Sequence, residues 1–160
     1  MKKMKILGID PALIKTGWGL ISIEGNTINY IASGTIKVNA KLPMAERLKG
    51  IYEELNKIIA LYKPDEFAIE ETFVNKNPVS SLKLGQARGV AMLTGSLNNL
   101  EVFEYSPNFI KKCVVGVGKA GKGQVMAMIK YILPVVELKG EDEADALAVA
   151  ICHGNNKKRF

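Results

Sequence analysis

Residues 5–19 read KILGIDPALIKTGWG, and the fold turns on how this stretch is divided. Ile6, Leu7, Gly8 and Ile9 form a short apolar run with the branching of a buried strand, and the run stops at a carboxylate, Asp10. Pro11 then forces a turn, and a second strand runs from Gly17 to Ile23. Glu24-Gly25-Asn26 makes the next turn, and Ile28–Val38 forms a third strand, so the short connections predict an antiparallel meander. An Asp at the end of a strand can simply hydrogen-bond its own turn. It also occupies the place where ligands meet an α/β sheet.

Beyond Pro43 the apolar period becomes helical. Met44, Leu48, Ile51, Leu55, Ile58 and Ile59 recur at three- and four-residue steps, with charged residues on the other face. After the Lys63-Pro64-Asp65 break, FAIE (67–70) forms a fourth strand with no polar residue until Glu70. Residues 72–78 form a polar loop with one aromatic, Phe73, and residues 79–98 a helix rich in small residues: Gly85, Ala87, Gly89, Ala91, Gly95 and Ser96. Those residues suit either a tight core contact or a seam with a second copy. Glu101–Tyr105 is a fifth strand, followed by helices from Pro107 to Val115, from Lys122 to Leu133 and from Glu141 to Cys152. Three meandering strands followed by alternating helices and strands predict an α/β domain with a mixed five-stranded sheet and helices on both faces. The expected domain covers residues 1–154, with a short basic tail at 155–160.

A chain of 160 residues can bury roughly 70% of its unfolded surface, so it needs no staple. Cys113 and Cys152 have neither CxxC nor metal-ligand spacing and are read as reduced residues in or near the core. No apolar run is long enough to cross a bilayer and the N-terminus has no cleavage site, so the expected location is the cytoplasm. The net charge of +6 is segregated. No acid occurs from Thr72 to Leu100 or from Tyr105 to Val136, and the second window holds Lys111, Lys112, Lys119, Lys122 and Lys130. Basic surfaces around an acidic centre suit a protein that grips a polyanion.

The acids themselves are the sharper signal. If the first and fourth strands are parallel neighbours, Asp10 and Glu70 emerge side by side. Asp142 and Asp145 lie three residues apart and share a helix face, while Glu143 points elsewhere. Acids in a first helical turn also complement the helix dipole, which is the alternative reading of this pair. Brought together, four carboxylates repel unless cations neutralise them, and hard oxygen donors select a divalent ion such as Mg²⁺. Two such ions can activate a water and stabilise a leaving oxygen at a phosphodiester. Glu70 is preferred to Glu71, since successive strand residues face opposite ways. His153 is read as a capping or surface residue.

LGIDP, FAIEETF, SLKLGQARGVA, FEYSP, KKCVVGVGKAGKGQV and EDEADALAVAICH, in this order, resemble the bacterial crossover junction endodeoxyribonuclease (RuvC) family over nearly the whole chain. The resemblance implies a ribonuclease H-like fold, a homodimer, and Mg²⁺-dependent paired nicking of four-way (Holliday) DNA junctions in recombination and repair. It implies two Mg²⁺ per active site, with Mn²⁺ as a substitute, and work alongside a RuvA–RuvB branch-migration complex. By the same resemblance the metal ligands and catalytic acids are Asp10, Glu70, Asp142 and Asp145. Phe73 stacks on an unpaired base, Lys111 and Lys122 lie near the scissile phosphate, and the helix after the Phe73 loop joins the dimer. One position departs from the family pattern: Ala12 stands where Gly usually follows Asp-Pro, so slight reshaping of that hairpin is expected.

Overall fold

The structure is a computed structural model that describes residues 2–72, 77–116, 118 and 121–157, with the backbone alone at Lys122. Strands β1 (Met4–Asp10), β2 (Lys15–Glu24) and β3 (Thr27–Lys37) form the antiparallel meander. Helix α1 (Met44–Tyr62) leads to β4 (Glu66–Glu70), and α2 (Pro78–Leu97) leads to β5 (Glu101–Tyr105). Both returning strands are parallel to β1, giving the sheet order β3-β2-β1-β4-β5. Helices α3 (Pro107–Val115), α4 (Lys122–Ile132) and α5 (Glu141–Lys157) complete the described chain. This is the expected mixed five-stranded sheet with helices on both faces.

Strand alternation divides the core in two. Leu7, Ile9, Leu20, Phe67 and Ile69 point to one face, where Leu55 and Ile59 of α1 and Ala91 of α2 cover them. Ile6, Ile21 and Ala68 point to the other, under Ala144, Leu147, Ala148 and Ile151 of α5. Helices α3 and α4 pack outside α5, which is therefore buried nearly all round, as its alanine-rich sequence allows. Contact with the sheet is unusually close. A Cβ on Gly8 would lie 2.2 Å from the Ala146 carbonyl oxygen, and one on Gly17 would lie 2.1 Å from that of Asp142. Bare backbone at these two positions lets α5 rest directly on β1 and β2.

Two expectations are corrected. Helix α5 continues to Lys157, so residues 155–157 are helical and not tail. Gly154-Asn155 resembles a helix stop, but Gly154 is small because Ile23 packs against it, where a Cβ would lie 2.1 Å from Ile23 Cδ1. His153 is fully buried rather than at the surface. The expected reshaping at Ala12 finds no backbone strain to support it, since the only non-glycine residues with positive φ among those described are Lys63 and Asn99. Thr16 Oγ1 ties the hairpin to Ala12 instead, lying 3.1 Å from its carbonyl and 3.3 Å from its amide.

Candidate active site

The parallel register of β1 and β4 aligns Gly8 with Ala68 and Ile9 with Ile69. One step further, Asp10 and Glu70 end adjacent strands at the same sheet edge. Asp10 has the same parity as Ile6 and Glu70 the same parity as Ala68, so both side chains turn toward α5. The first turn of α5 rests on Gly17, which sets Asp142 and Asp145 over that edge. All four carboxylates line one cleft of about 290 Å³, walled by Pro107, Ile110, Val125 and Ala148, with Lys111 at its side.

Glu143 is turned away as expected: it is buried and accepts a 3.0 Å hydrogen bond from Ser33 on β3. This contact, with Gly17, fixes the approach of α5 to the sheet. Glu71 leaves the sheet, its amide bonded to the Tyr105 carbonyl at 2.8 Å, and does not line the cleft.

The electrostatics report crowding. The pKa of Asp10 is pushed up to about 9, first by burial, then by Glu70 through both charge and a hydrogen bond, and then by Asp145 and Asp142. At neutral pH Asp10 thus holds a proton that it shares with Glu70. Among the described residues no three His, Cys, Asp or Glu side chains are already drawn into a metal-holding group. The donor set nevertheless fits hard divalent ions: it is all oxygen, it lies in a partly open cleft that a hydrated ion can enter, and its proton can be exchanged for a cation.

Comparison with known proteins decides the family. A family model described as crossover junction endodeoxyribonuclease RuvC matches residues 6–153. This chain belongs to the RuvC family. The RuvC of Rhizobium etli (strain CIAT 652) is 50% identical over 154 residues, covering 96% of this chain and 91% of that relative. The RuvC of Agrobacterium fabrum is 49% identical over 156 residues, covering 98% of this chain and 92% of the relative. Among solved structures, T. thermophilus RuvC in complex with Holliday junction substrate superposes with a TM-score of 0.90 at 26% identity, covering 98% of this chain and 96% of that one. The yeast mitochondrial Holliday junction resolvase Ydc2, at 13% identity and a TM-score of 0.67, shares the fold over 98% of this chain and 86% of its own. The fold is thus the ribonuclease H-like fold of RuvC and related resolvases.

Of the expected site residues, Asp10, Glu70, Asp142, Asp145 and Lys111 come together. Phe73 lies outside the described residues, as does the side chain of Lys122. Sequence reasoning missed the roles of Gly17 and Arg88. Arg88 of α2 donates from Nε to the Glu70 carbonyl at 3.2 Å and from Nη2 to the Glu104 carboxylate on β5.

Proposed function

We propose that this RuvC-family chain is a crossover junction endodeoxyribonuclease that resolves four-way DNA junctions by paired, symmetric nicks, with Asp10, Glu70, Asp142 and Asp145 as its catalytic metal ligands. The observation that carries this reading is the convergence of four carboxylates from two strand ends and one helix in a single cleft, where Asp10 is forced to keep a proton. Two Mg²⁺ held there, or Mn²⁺ in their place, would activate the attacking water and stabilise the leaving oxygen of the phosphodiester. The chain's residues supply the rest. Asp10 and Glu70 are held by the sheet, so their carboxylates start from fixed backbone. Asp142 and Asp145 ride on a helix seated on glycine and clamped by Glu143. Lys111 offers positive charge to the phosphate being cut, and the apolar wall of Ile110, Val125 and Ala148 limits water. Phe73 acts as a wedge on an unpaired base, and Lys122 adds a phosphate contact, as the family resemblance implies.

A homodimer accounts for paired nicks, since a two-fold axis presents two sites to a junction of similar symmetry. The character of α2 supports it. Ala87, Ala91 and Gly95 face the core, whereas Val79, Leu82, Leu93 and Leu97 are exposed. Gly85 and Gly89 have open space around them, so a second helix could approach closely.

The test is a gel assay with a labelled mobile four-way junction and a linear duplex of the same sequence, each with Mg²⁺ or chelator. Paired nicks confined to the junction and to Mg²⁺ are expected. Binding without cutting, or equal cutting of the duplex, would overturn the reading.

A further inference from the structure

We propose that Arg88, which does not line the cleft, is a positioning residue that sets how tightly the four carboxylates bind metal, acting through the backbone of Glu70. The inference rests on the nuclease reading above. The observation is where the sheet gives out. Pairing of β4 with β1 ends at Ile9–Ile69, and pairing with β5 ends at Glu70–Tyr105. At that last rung, the carbonyl of the residue bearing the ligand accepts a hydrogen bond from Arg88 Nε, while Arg88 Nη2 is paired with Glu104 one residue before Tyr105.

A guanidinium is planar and presents its donors in a fixed fork, so two acceptors on adjacent strands are held at one spacing. The side chain is only 17% exposed and reaches the sheet from α2, on the face opposite α5. Arg88 is therefore already engaged and poorly placed to meet a phosphate. The peptide that joins Glu70 to Glu71 is thus held on both sides, its N–H by the Tyr105 carbonyl at 2.8 Å within the sheet and its carbonyl by Arg88 from the α2 side, and loss of Arg88 leaves the sheet bond alone to fix it. Partners that orient a metal ligand typically alter affinity by about 10–100-fold, and displacements near 1 Å matter at such sites. The link also ties Glu70 to the helix whose outer face carries Val79, Leu82, Leu93 and Leu97.

The experiment is a Mg²⁺ titration of the full chain and of Arg88→Met, Arg88→Lys and Glu104→Gln, read in two ways: nicking of a synthetic four-way junction, and calorimetric Mg²⁺ binding without DNA. Arg88→Met is expected to raise the half-maximal Mg²⁺ about tenfold by both readings, with most of the nicking rate recovered at saturating Mg²⁺. Junction binding in chelator should be unchanged. Arg88→Lys can keep only one of the two contacts and should fall between, and Glu104→Gln should shift the midpoint less and in the same direction. Equal Mg²⁺ midpoints with only a lower melting temperature would overturn the inference, leaving Arg88 a structural residue. Weakened junction binding in chelator would overturn it in favour of a phosphate contact. If Arg88→Met fails to fold, Arg88→Lys and Glu104→Gln decide. If the unaltered protein binds Mg²⁺ but nicks no junction, the nuclease reading fails, while the calorimetric ratios still decide the role of Arg88.

Discussion

The two ends of α5 meet the same sheet face with opposite electrostatic solutions. At its C-terminal end the buried carboxylate of Glu66 is met by His153 Nε2 at 2.5 Å and by the Lys157 ammonium. Tyr105 Oη lies 2.6 Å from His153 Nδ1, and the Phe103 ring packs 4.2 Å from the imidazole. Burial lowers the His153 pKa to about 4, so at neutral pH the ring is uncharged. The tautomer that satisfies both contacts donates Nε2–H to Glu66 and accepts the Tyr105 hydroxyl at Nδ1. At the N-terminal end, Asp142 and Asp145 meet two more carboxylates, and Lys111 is the cleft's one cationic lining residue among those described. One end has its charge completed by the chain itself. The other gathers four acids about a single cation among the described residues, and that difference separates a structural acid cluster from a candidate catalytic one.

The largest expected effect comes from breaking the acid-rich end. Asp10→Asn or Asp145→Asn should lower junction nicking by about a thousandfold while leaving junction binding intact. Asp10→Asn carries a second signature. The raised pKa means the folded state keeps a proton that the unfolded chain loses above about pH 3.8, so Asp10 erodes stability as pH rises toward 9. In chelator at pH 7 the variant should melt above the unaltered protein. Retained nicking, or a lower melting temperature, would erase the contrast between the two ends.

The next effect lies at the compensated end and runs with pH. The His153 pKa falls from 6.5 to about 4 on folding, so its contribution is complete above pH 6.5 and is lost as pH drops toward 4. The shift amounts to about 3 kcal/mol, read as the difference in pH slope between the unaltered protein and His153→Gln in urea unfolding. Identical slopes would show that His153 is not held neutral. Glu66→Gln should cost about 2 kcal/mol, less than a fully buried pair because Lys157 is 41% exposed. It should leave the Mg²⁺ midpoint of nicking unmoved, and a shifted midpoint would mean the two ends are coupled. Smallest, Lys111→Ala should slow nicking about tenfold, since a partly exposed cation is screened by water.

The candidate catalytic end was legible in the sequence because its geometry follows from local rules. Strand parity puts Asp10 and Glu70 on one face, and spacing along a helix puts Asp142 and Asp145 together. The compensated end was not legible, because Glu66 and Lys157 lie 91 residues apart and no periodicity marks them as partners. Residues 155–157 read as part of a basic tail because nothing local shows that Ile23 packs on Gly154 and that Lys157 reaches Glu66. Gly17 and Arg88 escaped for a related reason. One is defined by how close a distant helix comes, the other by the rotation of α2, and both are tertiary facts.

The most direct test of the account is calorimetric titration of Mg²⁺ at pH 7 in buffers of differing ionisation enthalpy. The account predicts that binding releases about one proton per chain, displaced from Asp10, and that Asp10→Asn abolishes both the release and tight binding while Glu66→Gln preserves them. Binding of equal strength to Asp10→Asn, with no proton released from the unaltered protein, would contradict it.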